Sequence, residues 1–228
     1  MIVLGIDTAT TIASVGIVSS QRPDVQRADG SARHAAMLLR LIEEALGAAG
    51  ARLSDLDRLA VSIGPGSFTG LRVGLSIAKG LAVAAKIPVV GVPTLAAYAR
   101  AVGPRHGMVV PVLDARKGEV YAAAYRWQDG ELVSVFGPQA FTPDDLARRL
   151  DEPATLVGDG VDAYAELWAR IPAVVASLRL ADCPPSGAVI ARMGAETPPR
   201  PIAELEPQYC RLPAAAADRA GPATLSIG

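Results

Sequence analysis

The chain has 228 residues, half of them apolar and one fifth charged, with a formal net charge of −1. A mean hydropathy of +0.29 excludes intrinsic disorder, and near-neutrality leaves no bulk attraction for nucleic acid or a membrane surface. Its 22 glycines and 18 prolines are scattered as turn punctuation, without a collagen period or low-complexity tract. The excess of arginine over lysine, 19 to 3, reads as genome composition.

In chain order, Ile2–Ile6 is a short apolar strand ending in Asp7, and the polar stretch Thr8–Thr11 turns into a second strand at residues 13–18. Ser31 is placed to cap a helix over about residues 32–48, with Leu38, Leu41, Ile42 and Ala45 as its apolar stripe. Leu59–Ile63 reads as a buried strand, GPGSFTG as a turn, residues 70–85 as a second helix and residues 88–92 as a strand. Thr94 is placed to cap a short helix to about Arg100, which completes a ββ(β)αβαβα order.

After a boundary at Gly103-Pro104, Met108–Leu113 again runs into an aspartate, Asp114, followed by a polar turn and an alternating strand at residues 119–126. Asp129-Gly130 makes a hairpin to a strand at residues 132–136. A helix from Thr142 or Asp144 to about Leu150, a strand at residues 154–157 and helices at residues 159–169 and 186–194 complete the set. Because both halves open alike, the expectation is an internal duplication. The lobes are residues 1–103 and 104–212, with a cleft between them and a frayed tail at 213–228.

Cys183 and Cys210 lack CxxC spacing, so a reducing, cytoplasmic setting is expected. The N-terminal MIVLGID has no basic segment before its apolar run and is too short for a signal peptide. The best membrane-span candidate, residues 73–99, is broken by Lys79, Lys86, Pro88 and Pro93, and no membrane partner is expected.

The glycine turn carries most of the chemical information. Gly64, Gly66, Ser67 and Thr69 sit between a strand and a helix, where free N–H groups can hold an anion. The dinucleotide fingerprint fails by spacing and by the lack of any acid between Asp57 and Asp114; a P-loop would need Lys where Leu71 stands. With Asp7, Thr8 and Thr10, these residues are the candidate phosphate or nucleotide contacts, against the alternatives of a capped turn and an Asx-turn. Residues 58–113 hold six basic side chains and no acid, a local +6 in a chain of −1, so the remainder carries −7. That segment suits an anionic ligand or an acidic partner. Gly70, Gly74, Ala78 and Ala82 form a ridge of small residues that admits a close neighbour, either within the lobe or from a partner. No metal pair, G-x-S-x-G or triad is visible, so neither catalytic nor metal residues are expected.

IDTAT, His34 with two leucines beyond it, GPGSFTGLRVGLSIAKGLA at 64–82, GVPTLAA at 91–97, DARKGEVYAA at 114–123 and PQYCR at 207–211 together resemble the bacterial TsaB (YeaZ) family. The resemblance implies a two-lobed α/β fold of the actin/Hsp70/sugar-kinase (ASKHA) type with duplicated lobes. It implies a non-catalytic role in making N6-threonylcarbamoyladenosine in tRNA, in which the chain binds and activates the paralogue TsaD, which transfers the threonylcarbamoyl group. TsaE is an ATPase of the complex, tRNA is met through the complex, and the chain forms a homodimer when TsaD is absent. No cofactor is required by the chain itself, and ATP or ADP with Mg²⁺ belongs at the complex interface. The implied partner interface is His34, Met37, Leu38, Leu41, Gly70, Arg72, Val73, Gly74, Ile77, Ala78 and Lys79; the basic Arg72 and Lys79 are expected to meet acidic groups on the partner. Two departures count against intrinsic chemistry: Leu38 stands where TsaD-like relatives have the second metal histidine, and Ala9 stands where the phosphate turn has glycine. The alternative is a nucleotide-dependent kinase or ATPase of the same fold.

Overall fold

Two mixed sheets of five strands share one topology. The computed structural model describes residues 1–21, 24–30, 35–183 and 187–210. The expected Ser31 cap, His34 and the tail 213–228 lie outside the described residues. The first sheet comprises β1 (Ile2–Asp7), β2 (Ala13–Ser19), β3 (Val25–Asp29), β4 (Arg58–Gly64) and β5 (Val89–Pro93), in the order β3-β2-β1-β4-β5. β1, β2 and β3 pair antiparallel, and β1, β4 and β5 pair parallel. The second sheet comprises β6 (Met108–Arg116), β7 (Glu119–Gln128), β8 (Glu131–Phe141), β9 (Ala154–Val157) and β10 (Val174–Leu178). Its order is β8-β7-β6-β9-β10, with the same directions at every pair. The duplication expected from the two strand–Asp–turn openings is therefore present strand for strand. β10 is the strand that the sequence reading lacks.

The central strands β1, β4, β6 and β9 are apolar on both faces because helices cover both. In the first lobe, α1 (Ala35–Ala49) and α2 (Phe68–Ala85) cover one face, burying Leu38, Leu41, Ile42, Leu75 and Ala78 against Leu4, Val15, Leu59 and Val61. In the second, α4 (Pro143–Arg148), α5 (Asp159–Ala163) and α6 (Ala165–Trp168) do the same around the fully buried Trp168. The expected single helix at 159–169 is thus two short ones, separated at Tyr164.

The remaining helices are exchanged. α3 (Thr94–Val102) follows the first sheet yet packs Leu95, Tyr98, Ala99 and Val102 on Val109, Leu113, Ala123 and Val157 of the second. α7 (Gly187–Glu196) follows the second sheet yet packs Ala188, Ile190 and Ala191 on Val3, Ala60, Val90 and Val92 of the first. Ile202 and Leu205 also join the first core. The C-terminal residues thus return to the first sheet, where α7 and Ala97 of α3 cover the face that α1 and α2 leave open.

α7 approaches unusually closely. Gly5 and Gly16 are cross-strand partners. A Cβ on Gly16 would lie 2.1 Å from the backbone nitrogen of Ala188, and one on Gly5 would lie 2.1 Å from the Gly187 carbonyl oxygen. The Gly187 N–H donates to the buried Ser14 Oγ at 2.6 Å. At the other end, Arg58 Nη1 donates to the carbonyls of Gly194 and Thr197 at 2.7 and 2.6 Å, closing carbonyls that a helix end leaves open.

Candidate functional site

A cleft of about 450 Å³ opens between the lobes, where the turns after β1 and β6 face each other. One wall is the β1–β2 turn and the start of α2, with Thr8, Thr10, Thr11, Gly66, Ser67, Phe68 and Thr69. The other is Asp114, Arg116, Tyr121 and Asp159. Thr8, Thr10, Gly66, Ser67 and Thr69 are thus brought together as expected.

Two expected contacts are not in the cleft. Asp7 is 1% exposed and accepts from the Ala9 N–H at 3.0 Å, which is the Asx-turn alternative. Gly64 is buried behind the turn, its N–H donating to Thr94 Oγ1 at 3.0 Å. That bond also corrects the reading of Thr94: its hydroxyl ties β4 to the start of α3, and the N-cap of α3 is Pro93.

The helix start is already engaged. Ser67 caps α2, its Oγ accepting from the Gly70 N–H at 3.2 Å, while the Ser67 N–H donates to the Ala9 carbonyl at 2.7 Å. A Cβ on Gly66 would lie 2.4 Å from that carbonyl. The β1–β2 turn therefore sits directly against the glycine turn.

The small ridge has the same explanation. A Cβ on Gly70 would lie 2.1 Å from the Thr8 carbonyl oxygen, and one on Gly74 would lie 2.2 Å from Thr8 Oγ1. Gly74, Ala78, Leu38 and Leu41 are buried within their own lobe. This corrects their expected place at a partner surface: the ridge admits the β1–β2 turn. Arg72 remains exposed, and Met37, Gly70, Val73, Ile77 and Lys79 remain half-buried.

The second wall carries residues that the sequence reading missed. The register of β6 against β7 shifts between Asp114 and Arg116, and Arg116 has φ 64°. Such a bulge re-aims a side chain, and here Arg116 Nη1 reaches Asp114 Oδ2 at 3.0 Å at the cleft wall. The Asp114 N–H donates to Asp159 Oδ1 at 2.9 Å. Burial raises the Asp159 carboxyl above the usual range, partly offset by that bond. The signal for Asp159 was its place after β9, which the duplication pairs with the glycine turn after β4.

Burial likewise raises the Asp7 carboxyl above 3.8, opposed by hydrogen bonds from the Ala9 N–H, Ser62 and the Thr8 N–H. The fold thus favours its protonated form. That stabilisation is complete below the unfolded value and is lost as pH rises through the folded one. Asp7→Asn keeps an uncharged acceptor, so variant-minus-wild-type stability should rise as pH increases from 3.8. Urea unfolding of both proteins at pH 4, 5.5 and 7 checks this; a difference that is flat or falls with pH contradicts it.

The family model of TsaD, tRNA N6-adenosine threonylcarbamoyltransferase, matches residues 28–215. The chain is 34% identical to the tRNA threonylcarbamoyladenosine biosynthesis protein TsaB of Escherichia coli, over 73% of this chain and 75% of that protein. A crystal structure of an uncharacterized Pseudomonas aeruginosa protein, described as similar to the peptidase YeaZ, has a TM-score of 0.77 at 27% identity. It covers 92% of this chain and 99% of that one. The structure of YeaZ from Pseudomonas aeruginosa gives 0.76 at 28% identity, with 91% and 99% covered. With two duplicated lobes in the same arrangement and this likeness along the sequence, the chain belongs to the TsaB (YeaZ) family.

Proposed function

We propose that this chain serves tRNA N6-threonylcarbamoyladenosine biosynthesis as a non-catalytic subunit that binds and activates TsaD. TsaE and tRNA are met through that complex, and two copies of the chain pair through the same face when TsaD is absent. The observation that carries this reading is the state of α2. It is apolar and long enough to cross a membrane by length and composition, yet only five of its eighteen residues are buried by its own lobe. Ser76, Gly80, Val83 and Ala84 form an exposed stripe along it, with Val83 65% exposed. An apolar helix face left open in this way fits a helix of a protein partner. A non-catalytic role is supported by the inward-turned Asp7 and by the contact of the β1–β2 turn with the glycine turn.

Light scattering on the chain mixed with TsaD from the same organism should show a discrete heterodimer. Gly80→Arg with Val83→Glu should abolish it and the transfer of threonylcarbamoyl to tRNA. Nucleotide turnover by the chain alone, with no complex, would replace this reading with the kinase-like alternative.

A further inference from the structure

The segment of residues 206–210, which has no regular secondary structure, runs back to the start of α2. The Gln208 N–H donates to the Ile63 carbonyl at 2.7 Å, which anchors the segment on the end of β4. Tyr209 then lies beside α2. Its ring centroid is 5.3 Å from that of Phe68, and its hydroxyl accepts from Arg72 Nε at 3.2 Å. The guanidinium carbon of Arg72 sits 3.9 Å from the Phe68 ring centroid. Arg72 is therefore held on one face by Phe68 and along its Nε edge by Tyr209.

Its two terminal nitrogens are unengaged among the described residues, and Arg72 is exposed. Helix α2 has no acidic residue, and Lys79, two turns further on, has no ion pair among the described residues either. An arginine whose side-chain freedom is already spent loses little more on binding, and its open edge offers two parallel N–H donors that match a carboxylate. Aromatic and arginine side chains of this kind anchor protein interfaces.

We propose that Phe68, Arg72 and Tyr209 form a preorganised anchor for an acidic side chain of the protein partner that docks on α2, with Tyr209 as a positioning residue that acts through Arg72. The surroundings favour a protein carboxylate over a nucleic-acid phosphate: the exposed stripe beside the anchor is Ser76, Gly80 and Val83, without the basic groove that a phosphate backbone requires. This rests on the reading that α2 docks TsaD.

The test measures the affinity of the full chain for TsaD at low and high salt, for wild type, Arg72→Ala, Tyr209→Phe and the double variant. Arg72→Ala should weaken binding at least about 30-fold and flatten the salt dependence. Tyr209→Phe, which removes only the hydroxyl, should weaken binding about 3- to 10-fold, and should add nothing in the Arg72→Ala background. A merely structural role for Tyr209 would lower affinity in both backgrounds, so additive losses overturn the positioning role. Unchanged affinity in Arg72→Ala overturns the anchor while leaving docking on α2 intact. If Arg72→Ala instead weakens tRNA binding by the complex and leaves TsaD affinity unchanged, the anchor takes phosphate and the proposal is wrong. A wild-type chain that does not bind TsaD removes both the anchor and the docking reading.

Discussion

Gly16→Ala should be among the most damaging single substitutions in the chain, although it adds one methyl group. The new Cβ would lie 2.1 Å from the Ala188 nitrogen and 2.6 Å from its Cα, both backbone atoms. No side chain can rotate away to relieve that contact, so α7 must lift from the sheet. Lifting α7 also strips cover from Val3, Ala60, Val90 and Val92 and breaks the bond from the Gly187 N–H to Ser14. Overpacking of this kind costs about 3 kcal/mol or more, which for a chain of this size lowers the melting temperature by roughly 6–12 °C. Gly5→Ala should behave alike, because Gly5 faces Gly16 and meets the Gly187 carbonyl at the same distance. Gly80→Ala is the control: it lies in α2, its Cβ would meet nothing within 4 Å, and it should stabilise by about 0.5–1 kcal/mol. Thermal unfolding of the three variants separates steric exclusion from backbone entropy. A Gly16→Ala protein that melts within about 2 °C of wild type would show that α7 does not sit in the glycine notch.

Part of this architecture is legible from local patterns. The apolar strands that end in Asp7 and Asp114, each followed by a polar turn and an alternating strand, announce the duplication because alternation and turn chemistry are short-range properties. The exchange of α3 and α7 is not local. The apolar stripe of Ala188, Ile190 and Ala191 would suit either sheet, and only the three-dimensional path of the chain decides which sheet lacks a cover. The ridge of Gly70, Gly74 and Ala78 shows the same limit. Small residues spaced four apart license a close neighbour without naming it; at Gly70 and Gly74 the neighbour is the Thr8 turn, and Ala78 lies in the first lobe's core. At the cleft, the hydroxyl-bearing wall is readable from GPGSFTG and the turn after β1. Arg116 is not, because the bulge that turns it toward Asp114 breaks the alternation by which strand residues are assigned to faces. Phe68 reads as a turn residue in isolation; its contact with Arg72 is one helical turn along α2, whereas its contact with Tyr209 depends on a segment about 140 residues away.

Residues 1–103, expressed alone, should fail to give a cooperative folded lobe. The first sheet needs two covers, and this fragment keeps one in full and only Ala97 of the other. Helices α1 and α2 would still bury Leu4, Val15, Leu59 and Val61. The opposite face, with Val3, Ala60, Val90 and Val92, would lose Ala188, Ile190 and Ala191. Arg58 would lose the carbonyls of Gly194, Ala195 and Thr197 and leave its guanidinium without those acceptors. At the same time, α3 would present Leu95, Tyr98, Ala99 and Val102 to water, since their partners belong to the second sheet. Two apolar surfaces exposed together exceed what a soluble lobe of this size tolerates. The fragment should bind a hydrophobic dye and melt without a sharp transition, whereas co-expression with residues 104–228 should restore one cooperative transition, because each fragment carries the helix that the other lacks. A sharp, dye-free transition from residues 1–103 alone would mean that the first sheet closes without α7. The exchanged helices would then join two self-sufficient lobes, and the deep cost expected at Gly16 would have to come from the sheet itself.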